Sequence, residues 1–254
     1  MLLPKAGPFF LPGKSNTIII FIHGFTASPS EVLPTAVLLN QQDGLSVSGP
    51  LLPGHGTTPE SLNQTTWEMW YEGLRSEYLS REQQYTSIFV AGLSMGALLA
   101  IYAGINLPGL NGVIAINAPI FTQYPVPTAL APLIEKCFPY IRKKKGLPVI
   151  EQERRGRWAY DVFPVKAFRS LYKLRNRVIK DIEQLRIPFL VFQALKDESV
   201  KAKSAGFLVR RAKNALVCYK ELPESYHVAT MGQEKELIAS TIIKFVRRYE
   251  KQEE

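Results

Sequence analysis

Six stretches of the chain, 17–23, 45–51, 87–93, 112–117, 189–194 and 215–221, are rich in apolar and β-branched residues and largely free of charge. Between most of them, apolar residues recur at helical spacing, over 29–40, 67–82, 95–105, 201–213 and 234–249. Unbroken apolar strands alternating with helices predict a mostly parallel sheet covered on both faces, because only a strand buried on both sides lacks polar alternation. Right-handed crossovers then make the arrangement doubly wound. The segment Pro8-Phe9-Phe10-Leu11-Pro12 adds a candidate edge strand.

The alternation breaks once. From Asn117 to Pro188 no strand signal is present, only a proline-rich stretch followed by basic, aromatic helix patterns. An insertion at the carboxyl end of a strand belongs over the ligand crevice of an open α/β sheet. The expected organisation is therefore a core of residues 1–118 and 187–254 with a small helical cap, 119–186, inserted after the strand at 112–117.

Charge sharpens this division. The chain has 254 residues and a net charge of +9. Residues 135–180 hold fourteen Lys or Arg against four acids, whereas the remainder is close to neutral. A solvated helical face is the simplest reading of such a run, and contact with a lipid or anionic surface is the alternative. The aromatic residues interspersed there form no RNA-binding motif, so nucleic acid is not an expected partner. The N-terminus is too short and proline-broken for a secretory signal, and no apolar run approaches a membrane span. Cys137 and Cys218 lie at no metal-ligand spacing and read as buried thiols of a reducing compartment, so the chain is expected to be cytoplasmic. A monomer or weak dimer is expected.

The chemistry centres on Gly92-Leu93-Ser94-Met95-Gly96, a G-x-S-x-G pentapeptide at the junction of a strand pattern and a helix pattern. In that context the serine occupies a strained turn that lifts its hydroxyl above the sheet, and Gly92 and Gly96 permit close backbone approach. A serine nucleophile needs a base, and the chain has three histidines. His23 and His55 lie beside glycines in early loops and read as loop-shaping residues. His227 follows the last strand, as the order serine, acid, histidine requires. The orienting acid is expected after the strand at 189–194, where Asp197 comes first and Glu198 is its neighbouring rival. The oxyanion donors are expected to be the backbone N–H groups of Met95 and of Phe25, in the loop after the first buried strand. Gly13-Lys14-Ser15 lacks the upstream glycine of a phosphate-binding loop, and a strand follows it instead of a helix.

With these residues in place the chain resembles the α/β-hydrolase superfamily, and within it the small bacterial carboxylesterases related to monoacylglycerol lipases. The likeness is carried by FIHGFTASPSE, LLPGHGTTPESL, VAGLSMGALLA, NAPI, VFQALKDESV and SYHVAT. It implies a triad of Ser94, Asp197 and His227, an oxyanion hole of the Phe25 and Met95 amides, a helical cap, and hydrolysis of a small-molecule acyl ester. No metal or organic cofactor is implied. Tyr226 stands where such enzymes often have glycine, which narrows the site. Phe25, Ile120, Phe121, Leu130, Leu133, Ile134 and Phe138 are candidate acyl-pocket residues, with core packing the alternative for most. Fold and triad alone do not separate an esterase from a thioesterase, an amidase or a ligand-binding relative, because specificity lies in the pocket.

Overall fold

The computed structural model describes residues 6–123, 138–144 and 146–251. Its main sheet contains β1 (Phe9–Leu11), β2 (Thr17–Ile22), β3 (Ser46–Gly49), β4 (Ser87–Leu93), β5 (Gly112–Ile116), β8 (Phe189–Ala194) and β9 (Val217–Leu222), in the spatial order β1-β3-β2-β4-β5-β8-β9. All neighbours pair in parallel except β1, which lies antiparallel to β3 at the edge. In the insertion, β6 (Tyr140–Arg142) and β7 (Val162–Pro164) form a separate antiparallel ribbon. The expectation of a strand-free insertion is thus corrected. Three residues per strand are too few to reveal a period of two in the sequence.

The helices are α1 (Leu33–Asp43), α2 (Pro59–Asn63), α3 (Trp67–Arg81), α4 (Met95–Asn106), α5 (Leu147–Arg154), α6 (Val165–Asp181), α7 (Lys203–Arg211) and α8 (Lys235–Tyr249). The pleat of β2 shows why its sequence is apolar without a break from Ile18 to Ile22. Ile18, Ile20 and Ile22 join a core with Val90, Val113 and Val191 beneath α3, α4, α6 and α7. Ile19 and Phe21 point the other way, into a core with Phe89, Ile114 and Phe192 beneath α1 and α8. Alternate side chains face opposite ways, so both sets must be apolar. Helix α4 is apolar almost throughout and is the most enclosed helix, while α1 ends at Gly44, whose φ of +65° suits a residue without Cβ.

Helix α6 clarifies the basic run. Ala167, Leu171, Leu174 and Val178 are buried in the core shared with α3 and α4, while Lys166, Lys173, Arg177 and Lys180 are exposed. The run therefore includes an amphipathic helix whose apolar stripe completes one layer of the molecule. Cys218 is only half-buried, because β9 is the edge strand, and Cys137 lies outside the described residues. Among the described residues, no helix is long and apolar enough to cross a membrane.

Truncating Leu174, which is fully buried, tests whether α6 belongs to the core. Leu174→Ala is expected to lower unfolding free energy by about 2–5 kcal/mol. Urea denaturation measures this, and a loss within about 0.5 kcal/mol, typical of a surface site, would remove α6 from the core.

Candidate active site

Strand β4 delivers the chain to Ser94, whose φ of +56° and ψ of −115° are strained for a residue with a Cβ. The turn is held by packing on both sides. A Cβ at Gly92 would lie 2.1 Å from the carbonyl of Gly96, and one at Gly96 would lie 2.2 Å from the carbonyl oxygen of Ile22. No side chain fits at either position. The close approach seats the first turn of α4 against the end of β2, so the helix N-terminus, with its partial positive charge, lies directly beyond Ser94.

The hydroxyl of Ser94 lies 3.0 Å from Nε2 of His227, and Nδ1 of that ring lies 2.8 Å from Oδ2 of Asp197. A carboxylate only accepts, so Nδ1 carries the hydrogen and Nε2 is left to accept from the serine. Oδ1 of Asp197 accepts the backbone N–H groups of Ser199 and Val200, at 2.8 and 2.7 Å, which fixes the carboxylate. Glu198 engages the backbone of the histidine and not its ring. Its Oε2 accepts the backbone N–H of His227 at 3.1 Å. Of the two adjacent acids, Asp197 therefore bonds the ring and Glu198 the backbone.

Burial lowers the proton affinity of His227, but the charge and hydrogen bond of Asp197, with smaller contributions from Glu198 and Glu31, outweigh it and raise the pKa above the ordinary value. His23 and His55 differ. Burial lowers both, and neither lies on the serine. His23 donates from Nδ1 to the carbonyl of Gly24 at 2.9 Å and accepts the Leu52 N–H at Nε2. The ring thereby shapes the loop that carries Phe25. His55 donates from Nδ1 to Pro53 and stands edge-on to His23 and Trp70.

The other predicted positions scatter. Phe25 is half-buried, stacked on Phe163 and tilted against Trp70 and Phe168, so an aromatic wall stands beside the loop that follows β2. Ile120 is fully buried in the core, and Phe121 packs edge-on to Phe207. Phe138 is 65% exposed and lacks the enclosure expected of a pocket wall. Leu130, Leu133 and Ile134 lie outside the described residues. Tyr226 is exposed. Among the described residues no group of His, Cys, Asp or Glu is arranged to hold a metal ion.

Asn117 and Glu31 were not singled out by the sequence. Asn117, at φ +50°, accepts the Ala194 N–H at 2.7 Å and donates to the His227 carbonyl at 2.8 Å, tying two strand ends to the histidine loop. A non-glycine residue at a strand terminus gives no outward sign of such a role. Glu31 is a buried carboxylate that accepts the Gly24 N–H.

The sequence profile of the serine aminopeptidase S33 family matches residues 13–234, most of the chain. The chain belongs to this family. As an S33-family protein it is 25% identical to a thermostable monoacylglycerol lipase of Bacillus sp. (strain H-257), over 98% of this chain and 97% of the relative. It is 26% identical to a carboxylesterase of Bacillus subtilis (strain 168), over 98% of each. A solved structure described with LipS and LipT, two metagenome-derived lipolytic enzymes, superimposes with a TM-score of 0.87 at 26% identity, covering 98% of this chain and 100% of that one. The S33-family chain thus has the α/β-hydrolase fold, and the predicted fold class holds.

The raised pKa of His227 carries a sign that can be tested. The protonated ring is favoured in the folded state, so its stabilising effect is full below the unfolded value of about 6.5 and is lost as pH rises through the higher folded value. NMR titration is expected to place His227 above the ordinary histidine value, and Asp197→Asn to bring it down. An unchanged titration in the variant would mean that Asp197 does not set the proton affinity.

Proposed function

We propose that the protein is a serine hydrolase that cleaves carboxylic esters of short- to medium-chain acyl groups, monoacylglycerols among them, through an acyl-enzyme. The observation that carries this reading is the continuous contact from Asp197 through His227 to the strained Ser94. The names of the two Bacillus relatives, a monoacylglycerol lipase and a carboxylesterase, support the substrate class.

In this reading Nε2 of His227 takes the hydroxyl proton as Ser94 Oγ bonds to the ester carbonyl carbon. The carbonyl becomes an oxyanion held by the Phe25 and Met95 amides, and Asp197 stabilises the imidazolium. The tetrahedral species then breaks its bond to the alcohol oxygen, which leaves with the proton from His227. Water repeats the sequence on the acyl-enzyme, releasing the acid and restoring the Ser94 hydroxyl.

Residues 119–186 serve as a cap on the core formed by 1–118 and 187–254. Phe163 and Phe168, from the insertion, meet Phe25 beside the oxyanion loop, which supports that arrangement. The cap also offers transient contact with an anionic lipid surface. Exposed Ile141 and Leu147 stand in the same segment as exposed Arg142, Lys144 and Arg155, pairing apolar with basic character.

A p-nitrophenyl ester series from acetyl to palmitoyl, run beside monoacylglycerols and acyl-coenzyme A, tests the reading. Turnover is expected to favour the shorter and middle oxygen esters, and Ser94→Ala to lower kcat by about 10^4-fold or more. Preferred turnover of acyl-coenzyme A, weakened by salt, would make the protein a thioesterase that uses its basic cap. Full ester hydrolysis by Ser94→Ala would end the proposal.

A further inference from the structure

The loop after β2 is gripped from two sides. On one side is the His23 ring on the Gly24 carbonyl, already described. On the other, Oε1 of Glu31 accepts the Gly24 N–H at 2.5 Å. These contacts fix both peptide planes of Gly24. The second plane contains the Phe25 N–H, which points opposite to the Gly24 carbonyl because the peptide is planar and trans. Gly24 also lies against the serine, since a Cβ built on it would fall 3.5 Å from Ser94 Cβ.

The other oxygen of Glu31 receives Nε of Arg157 at 3.1 Å, and both side chains are almost wholly buried. Arg157 comes from the insertion, and so do further ties to the same loop. Tyr160 N–H donates to Thr26 O at 2.8 Å, Trp158 N–H to Ser30 Oγ at 2.9 Å, and Ala27 bridges Ala159 in antiparallel fashion. The insertion is therefore fastened to the oxyanion loop over 157–160. A buried carboxylate held between one backbone donor and one guanidinium is a stiff support, because shifting either partner leaves a charge without its hydrogen bond.

We propose that Glu31 and Arg157 are positioning residues for the oxyanion-binding amide of Phe25, so that the insertion takes part in acyl transfer by holding that amide toward Ser94. This rests on the ester-hydrolase reading given above. Neither residue touches substrate. Their effect is on how well the Phe25 N–H meets the developing oxyanion, and a misplacement near 1 Å costs about 100-fold in rate.

The test follows from amide chemistry. In Glu31→Gln one side-chain oxygen remains to accept the Gly24 N–H, but the new NH2 group then faces the Arg157 Nε donor, so one contact is lost. Steady-state kinetics with a p-nitrophenyl ester are expected to show kcat down by about 10- to 100-fold with KM within about 3-fold. The rate of Ser94 phosphonylation by an aryl phosphonate, which also needs the oxyanion amides, should fall in parallel. Rescue is expected from Glu31→Gln combined with Arg157→Gln. The glutamine oxygen stands as many bonds from the backbone as Nε of arginine and accepts from the new NH2 group. Should Glu31→Gln not fold, Arg157→Lys keeps the positive charge without a donor at the Nε position, and the same kcat-specific loss is expected. A folded variant with wild-type kcat, or a double variant no better than the single, would overturn the positioning role while leaving the ester-hydrolase reading intact. A wild-type protein that neither turns over esters nor reacts with the phosphonate would overturn both.

Discussion

The structure depends on one close approach: the first turn of α4 lies directly on the carbonyl end of β2, with no room for a Cβ at Gly96. Everything chemical is arranged around that contact. It holds Ser94 in a backbone conformation that an isolated chain would avoid, and it brings the loop at 23–25 beside the serine. The strain is sustained because β4 is central in the sheet and α4 is buried, so the surrounding core over-determines the turn. The Ser94 N–H bonds the Ile116 carbonyl at 2.9 Å, which carries the ladder to the very edge of the turn.

Three loops meet above this contact, and polar side chains with little freedom join them. Asn117 ties the end of β5 to β8 and to the His227 backbone, while Glu198 takes the His227 N–H. Glu31 joins the set through both its side chain and its backbone. Its carboxylate reaches Gly24 and Arg157, and its carbonyl accepts Thr230 Oγ1 at 2.5 Å, three residues beyond His227. The loop of His227 and the loop at 23–25 therefore share a support. Preorganisation of this kind lets dipoles act on a developing charge without reorganising during the reaction.

Much of this was legible in the sequence, and the reasons are specific. Strand β2 declared itself because burial on both faces requires an unbroken apolar run, here the five positions Ile18 to Ile22, and Ser94 because a strand pattern meets a helix pattern at two glycines. His227 followed from chain order with only three histidines to choose from. Asp197 reads as the better acid only because it comes first after its strand, with Glu198 as rival, since adjacent residues in a loop differ only in where their backbone points them. The β6–β7 ribbon was hidden by its shortness. The interruption of the strand pattern marks where the insertion holding α6 begins, whereas the burial of the helix's own stripe shows only in the packing. Glu31 and Arg157 were concealed differently: one acid early in a helix pattern and one arginine in a basic run look like ordinary surface residues, and only tertiary packing buries them.

The basic run shows why net charge is a poor guide to surface chemistry. Arg157 is engaged by Glu31, Arg177 pairs with Asp181 at 2.5 Å, and Arg155 pairs with Glu151. Arg175 donates from Nε to the Ile120 carbonyl at 2.5 Å, and Lys143 reaches Thr26 and the face of Phe163. These cations do not all face one way, and they do not all serve one partner. Arg157, largely enclosed against Glu31, contributes little to a field felt outside the molecule and instead fastens the insertion to Glu31, whereas exposed Lys166, Lys173 and Lys180 on α6 contribute to that field. The excess charge of one segment thus resolves into two physical roles, and the buried one lies nearer the chemistry.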